Sequence, residues 1–190
     1  MKKIQWKVYL TNAPTVDRYC RRCKKTSGFK SSELFRVNTQ QKNLEIWLIY
    51  KCISCDTTWK LTIFSGLNSN TMEHSLIDRY ANNDKELAML HATDAALIKR
   101  NGAQCNNADV EIIGEDIIWN ESNGYSEPVE IHIATKYPVE NKAASVIRSK
   151  LNISGSSFDK LCKTGKIVSL SGHNLKKCKM PDSIIIQLTP

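Results

Sequence analysis

Tyr19-Cys20-Arg21-Arg22-Cys23-Lys24 and Lys51-Cys52-Ile53-Ser54-Cys55-Asp56 are the two stretches that decide how this chain folds. In each, a Cys-x-x-Cys turn can point two thiolates at one ion. Two such turns complete a tetrahedral sulfur shell at about 2.3 Å from the metal. The 28 residues from Lys24 to Lys51 suit a hairpin that carries the second turn back beside the first. Cys20, Cys23, Cys52 and Cys55 are therefore the expected metal ligands. A closed four-sulfur shell leaves no position for water or substrate, so the ion should fold a small sheet rather than catalyse.

The identity of the ion follows from the turns. A rubredoxin-type iron protein uses the same shell at similar spacing, but neither turn here carries the Pro and Gly usual in that protein, so structural zinc is expected over iron. Seven cysteines form an odd set in a chain without a secretion signal, which favours metal over a disulfide framework. Cys105, Cys162 and Cys178 stand alone and read as small buried hydrophobes.

Outward from the cysteines, Leu34 to Thr39, Leu44 to Lys51 and Thr57 to Phe64 read as strands, with Gln40 to Asn43 as a turn. Upstream, Ile4, Trp6, Val8 and Leu10 alternate with polar neighbours in the strand period, and Pro14 closes that strand. Downstream the period becomes helical. Met72, Leu76, Ile77 and Tyr80 share a face behind a cap at Asn70 or Thr71. A second helix is expected from a cap at Asn83, with Leu87, Leu90, Leu97 and Ile98 as its stripe and Lys99, Arg100 and Gly102 at its end. Val110 to Gly114, Asp116 to Trp119 and Val129 to Ala134 read as short strands around a turn region from Asn120 to Pro128. Helices from about Asn141 to Leu151 and from Ser154 to Lys163, then strands at Lys166 to Val168 and Ile184 to Leu188, complete the chain.

The net charge of +8 is unevenly spread. Residues 1–66 carry 13 Lys/Arg against 4 Asp/Glu, residues 67–139 carry 5 against 12, and residues 140–190 carry 9 against 3. The expected organisation is accordingly a zinc-ribbon-like domain over 1–66, an acidic helix-helix-strand segment over 67–139 and a basic unit over 140–190, together an α+β protein. Basic ends suggest polyanions as partners, and mutual attraction between the ends and the middle is the alternative. The start, Met1-Lys2-Lys3-Ile4-Gln5-Trp6-Lys7, is broken by Lys7 before any apolar leader forms, and no run approaches a membrane span, so a cytoplasmic protein is expected.

The run from Leu151-Asn152-Ile153-Ser154-Gly155-Ser156-Ser157-Phe158 to Gly165-Lys166-Ile167 resembles the alpha-L RNA-binding motif. That module is shared by a small-subunit ribosomal protein, pseudouridine synthases and a tyrosyl-tRNA synthetase. The resemblance covers about fifty residues and implies a helix-helix-hairpin unit that contacts RNA. Lys142, Ala144, Gly155 and Pro181 stand where the pattern has Arg, Asp, Arg and Gly. Lys160, Lys163, Lys166, Lys176, Lys177 and Lys179 supply its candidate phosphate contacts, with a solvated face as the alternative. Arg21 and Arg22 supply those of the first metal turn, with offsetting of the thiolate charge as their alternative.

Across nearly the whole chain, Tyr19-Cys20-Arg21-Arg22-Cys23, Phe35-Arg36-Val37-Asn38, Trp47 to Cys52, Cys55-Asp56-Thr57-Thr58-Trp59 and Arg100-Asn101-Gly102-Ala103 resemble the bacterial family called domain of unknown function 1062. That family has no assigned activity. No Gly-rich phosphate loop or nucleophile elbow marks an enzyme. His91 and Asp94, three apart on the second helix, read as a histidine satisfied by a carboxylate. Trp47 and Trp59, with neighbouring strands to pack against, read as core, with stacking on bases as the lesser alternative. The leading reading is a non-enzymatic zinc-ribbon protein binding structured RNA through its basic ends. The second is a protein-protein adaptor whose acidic middle contacts a partner, and the third an enzyme that would have to use residues of the middle segment.

Overall fold

The computed structural model describes residues 1–39, 43–117 and 127–189. It divides into two compact units, one formed by Asn12–Ala108 and the other by Met1–Thr11 with Asp109–Pro190. Each holds a five-stranded sheet and helices, so the α+β class stands. The turn expected at Gln40 to Asn43 and the segments Asp116 to Trp119 and Asn120 to Pro128 fall largely outside the described residues. Asp116 and Ile117 lie in no strand.

In the unit of residues 12–108 the strands are β2 (Val16–Cys20), β3 (Lys25–Asn38), β4 (Asn43–Cys52), β5 (Thr58–Asn68) and β6 (Gln104–Cys105), after β1 (Lys2–Leu10) of the other unit. The sheet runs β5-β4-β3-β2-β6 and every pairing is antiparallel. Along β4, Leu44, Ile46, Leu48, Tyr50 and Cys52 are buried while the residues between them face outward, the period of a one-sided sheet. Helices α1 (His74–Ala81), α2 (Lys85–Thr93) and α3 (Ala95–Arg100) follow. Ala88, Ala92, Leu97 and Ile98 pack with Phe29, Leu48, Tyr50 and Leu61 in one apolar cluster, and Tyr80 and Leu87 join Leu44 and Ile46 in another.

The second helix of the sequence reading is two helices. Asp94 interrupts it, because its carboxylate accepts the Leu97 amide at 2.9 Å and caps a new start. The first cap is Asp84 rather than Asn83, with its carboxylate on the Glu86 and Leu87 amides. Asn83 accepts the Phe35 amide at 2.7 Å instead. The break rotates the stripe, so Leu90 is 47% exposed and Ala88 and Ala92 take its place inside. At α1 neither Asn70 nor Thr71 caps; Glu73 precedes the helix without a side-chain bond, after a 3-10 turn at Ser69–Thr71.

The other unit adds β7 (Val110–Gly114), β8 (Val129–Thr135), α4 (Ala143–Leu151), α5 (Gly155–Lys163), β9 (Ile167–Ser169) and β10 (Ser183–Leu188). Its sheet runs β7-β1-β8-β10-β9, and β1 pairs parallel with β8. Trp6, Ile131, Ile133, Ile147, Phe158 and Ile186 are all within its buried core. Ser154 caps α5 by accepting the Ser157 amide, and Asn152 takes a left-handed conformation between the helices.

These units do not follow the cuts at residues 66 and 139. Period-two alternation identifies β1 as a strand but cannot name its partners, which lie more than a hundred residues away. Counted by unit, residues 12–108 hold 14 Lys/Arg against 9 Asp/Glu and the remainder 13 against 10. The acidic middle is a property of the sequence order, and it is divided between the two units.

Candidate metal centre

The two cysteine turns are built alike. Cys20 ends β2 and pairs with Lys25 at the start of β3, so Arg21 to Lys24 form the link of a hairpin. Cys52 ends β4, and its amide donates to the Thr57 carbonyl while its carbonyl accepts from Asp56, both at 2.9 Å. Lys24 and Asp56, each directly after the second cysteine of its turn, both have left-handed backbones with φ of 55° and 57°. The register Phe29 to Cys52 and Phe29 to Val16 brings both turns to one end of the sheet. Gly28 permits the close approach, since its carbonyl accepts the Ile53 amide and a β-carbon there would stand 2.9 Å from Ile53 Cδ1.

The four sulfurs lie within 4.8 Å of one another. Cys20 Sγ is 3.6 Å from Cys55 Sγ and Cys23 Sγ is 3.9 Å from Cys52 Sγ. A tetrahedron with metal–sulfur bonds of about 2.3 Å has edges of about 3.8 Å, whereas a disulfide is about 2.05 Å. The spacing therefore suits ligands of one ion, and all four thiols are free. Cys20 and Cys52 are buried and Cys23 and Cys55 half-buried.

The electrostatics of the thiols differ from one cysteine to the next. The Thr57 hydroxyl, 3.1 Å from Cys55 Sγ, helps hold that thiol down to about 6. Cys23, bonded to the Cys55 sulfur and crowded by the others, is pushed up to about 12. Hydrogen bonding to the Cys23 amide lowers Cys20. A divalent cation held by the four sulfurs would offset their negative charge and displace the remaining protons.

The surrounding cations have different roles. Arg18 donates to the Asn101 carbonyl at 2.9 Å and stacks 4.5 Å over Trp59, so it is part of the scaffold. Arg21 is exposed, and Arg22, also exposed, reaches the Cys55 carbonyl at 3.4 Å. Lys24, Lys25 and Lys51 are exposed too. In the other unit, Lys160, Lys163 and Lys177 are exposed and Lys166 is half-buried. Lys176 and Lys179 are spent on ion pairs with Asp159 and Glu140, and the other four lysines of the set make no ion pair among the described residues.

His91 is not satisfied by Asp94. Its Nε2 lies 2.7 Å from the Tyr80 hydroxyl with the two rings stacked, while Asp94 is held by the Leu97 amide. Asn101, which the sequence marks only as part of the stretch Arg100-Asn101-Gly102-Ala103, has a structural role that its sequence does not announce. Its side-chain amide accepts from the Thr62 amide at 2.9 Å and donates to the Thr62 carbonyl at 3.0 Å, acting as one residue of a strand against β5. The only hint is its place before Gly102, where φ is +75°.

An antiparallel sheet carrying four sulfurs at ligand spacing defines an α+β protein with a four-cysteine site able to hold one metal ion. The chain belongs to the family described as "Protein of unknown function (DUF1062)", whose model matches residues 37–173. Cys52 and Cys55 fall within the match and Cys20 and Cys23 precede it. Neither the curated proteins nor the solved structures contain a match. No helix of the described residues is long and apolar enough to cross a membrane.

Proposed function

We propose that this is a cytoplasmic zinc-ribbon protein that binds structured RNA, with zinc as a structural ion and exposed cations as the RNA contacts. The observation that carries the reading is the placement of Arg21 and Arg22, exposed on the turn that links two of the sulfurs. Zinc on four thiolates leaves a net charge of about −2. Arg21, Arg22, Lys24, Lys25 and Lys51 exceed that, which leaves cations for phosphates. Zinc is favoured over iron by the absence of Pro and Gly from both turns.

The second contact region is the C-terminal unit. Its order of helix, left-handed Asn152, Ser-capped helix, Gly165 and two strands supports the resemblance to the alpha-L motif. Lys160, Lys163 and Lys177 make no ion pair among the described residues. The adaptor reading has less behind it, because its acidic segment is divided between two units.

Gel-shift titration of zinc-loaded protein against a structured RNA hairpin at rising salt tests the proposal. Affinity should fall steeply with salt, and Arg21→Ala with Arg22→Ala should reduce the slope of log affinity against log salt by about 1 to 2. Absence of RNA affinity at low salt contradicts it, and protein partners that survive RNase treatment would favour the adaptor.

A further inference from the structure

The outward face of the sheet in residues 12–108 carries an aromatic and basic surface that shares only Lys51 with the cations around the metal centre. Directly paired residues of antiparallel strands point to the same side. Arg36, Trp47 and Thr62 are paired across β3, β4 and β5, as are Lys30, Lys51 and Thr58, and Ile49 faces Lys60. All sit on the side opposite buried Ile46, Leu48 and Tyr50. Trp47 is half-buried there instead of in the core, with the Lys60 ammonium 4.8 Å from its ring centroid.

Lys30, Arg36, Lys51 and Lys60 are exposed and form no ion pair among the described residues. Two carboxylates among the described residues are paired onto this face: Glu45, engaged by the Asn38 side-chain amide at 3.4 Å, and Asp17, paired with Gly28 and engaged by the Asn106 side-chain amide at 3.0 Å. From Trp47 to Lys51 the face extends about 14 Å along β4. It therefore offers a flat aromatic ring within a field of four cations, the two elements that single-stranded nucleic acid requires. Bases stack on aromatic faces and phosphates meet cations, without a demand for sequence.

We propose that this face binds unpaired RNA, with one base stacked on Trp47 and the flanking phosphates held by Lys30, Arg36, Lys51 and Lys60. Lys60 then leaves the ring face to the base and moves to a phosphate. The inference rests on RNA as the ligand and adds a second mode, distinct from the contacts of Arg21 and Arg22.

Fluorescence anisotropy on the full zinc-loaded chain tests it with two probes, a labelled oligouridylate and a hairpin without overhangs whose tight four-base loop keeps its bases stacked or paired. The oligouridylate should bind at low salt and quench tryptophan emission, and Trp47→Phe should remove most of the quenched signal while retaining binding. Trp47→Ala should weaken oligouridylate binding by about 5- to 150-fold, the loss of one base–aromatic stack, with zinc content and hairpin affinity unchanged. Arg21→Ala with Arg22→Ala should do the reverse. If Trp47→Ala fails to fold, Lys30→Ala with Lys60→Ala decides, through a salt slope for oligouridylate reduced by about 1 to 2. Hairpin binding that depends on Arg21 and Arg22, together with oligouridylate binding that is absent or indifferent to these face substitutions, overturns this inference and leaves the proposed function standing. Loss of affinity for both probes in the parent protein overturns both.

Discussion

The two units solve the same problem of a five-stranded sheet by different means. Residues 12–108 are continuous, wholly antiparallel and bring four cysteine sulfurs within 4.8 Å of one another at one end of the sheet. The other unit draws β1 from one end of the chain and β7 to β10 from the other, places β1 parallel beside β8, and has no comparable cysteine cluster among its described residues. Its stability rests on an apolar core that includes Trp6, Ile131, Ile147 and Phe158. Both units bury an apolar core, and the four-cysteine site is what the unit of residues 12–108 has in addition.

The largest effect should come from removing the metal. Structural zinc contributes about 10–16 kcal/mol in small sites, comparable with the whole stability of a domain, about 5–15 kcal/mol. Chelation, or Cys52→Ser, should abolish amide-exchange protection in β3, β4 and β5 while β1, β8 and β10 stay protected. Equal loss in both units would erase the distinction between them. The converse substitution is Ile131→Ala, which should destabilise the other unit by about 2–5 kcal/mol through a lost side chain and a cavity. Denaturation followed at β8 should show that loss, with zinc affinity unchanged.

Asn101→Ala should rank third. It strips Thr62 of both side-chain partners, and an orphaned backbone donor or acceptor costs about 1–3 kcal/mol. The loss should appear in urea midpoints of the zinc-loaded unit, and a midpoint equal to wild type would show that water replaces the amide.

The smallest effect is a pH dependence at His91. Burial holds its pKa below the ordinary value, with Asp94 opposing the shift. The neutral ring is therefore favoured in the folded state, and its contribution is complete above the unfolded pKa of about 6.5 and declines as pH falls through the lower folded value. Urea midpoints at saturating zinc should drop less between about pH 7.5 and pH 5.5 in His91→Gln than in the parent.

The legible parts of the molecule share one trait: the signal is local. Alternation along Leu44 to Cys52 fixes β4, and Cys-x-x-Cys spacing marks the metal turns, because both patterns complete themselves within a few residues. β2 escaped notice because Val16-Asp17-Arg18-Tyr19-Cys20 is short and has two charges. The first half of β3 is polar and leads into a bulge at Ser31 to Phe35, with Glu33 at φ +60°. Asp94 reads as a helix residue until its carboxylate is seen to cap α3.

The rest depends on partners far along the chain. Hydrophobic alternation in β1 does not reveal that β8 is its parallel neighbour. Asn101 acts through Thr62, 39 residues away, and no spacing rule announces a side chain that imitates a strand. Trp47 reads as core from composition, yet its position in β4 places it on the outward face. The alternation that reveals the strand also assigns that face, once Leu48 and Tyr50 are taken as the inner side.

Metal analysis of the purified, reduced full chain tests the central claim most directly. The account predicts one zinc per chain, lost on Cys52→Ser together with protection in β3 to β5. Protein that is folded, fully reduced and free of bound metal would contradict it.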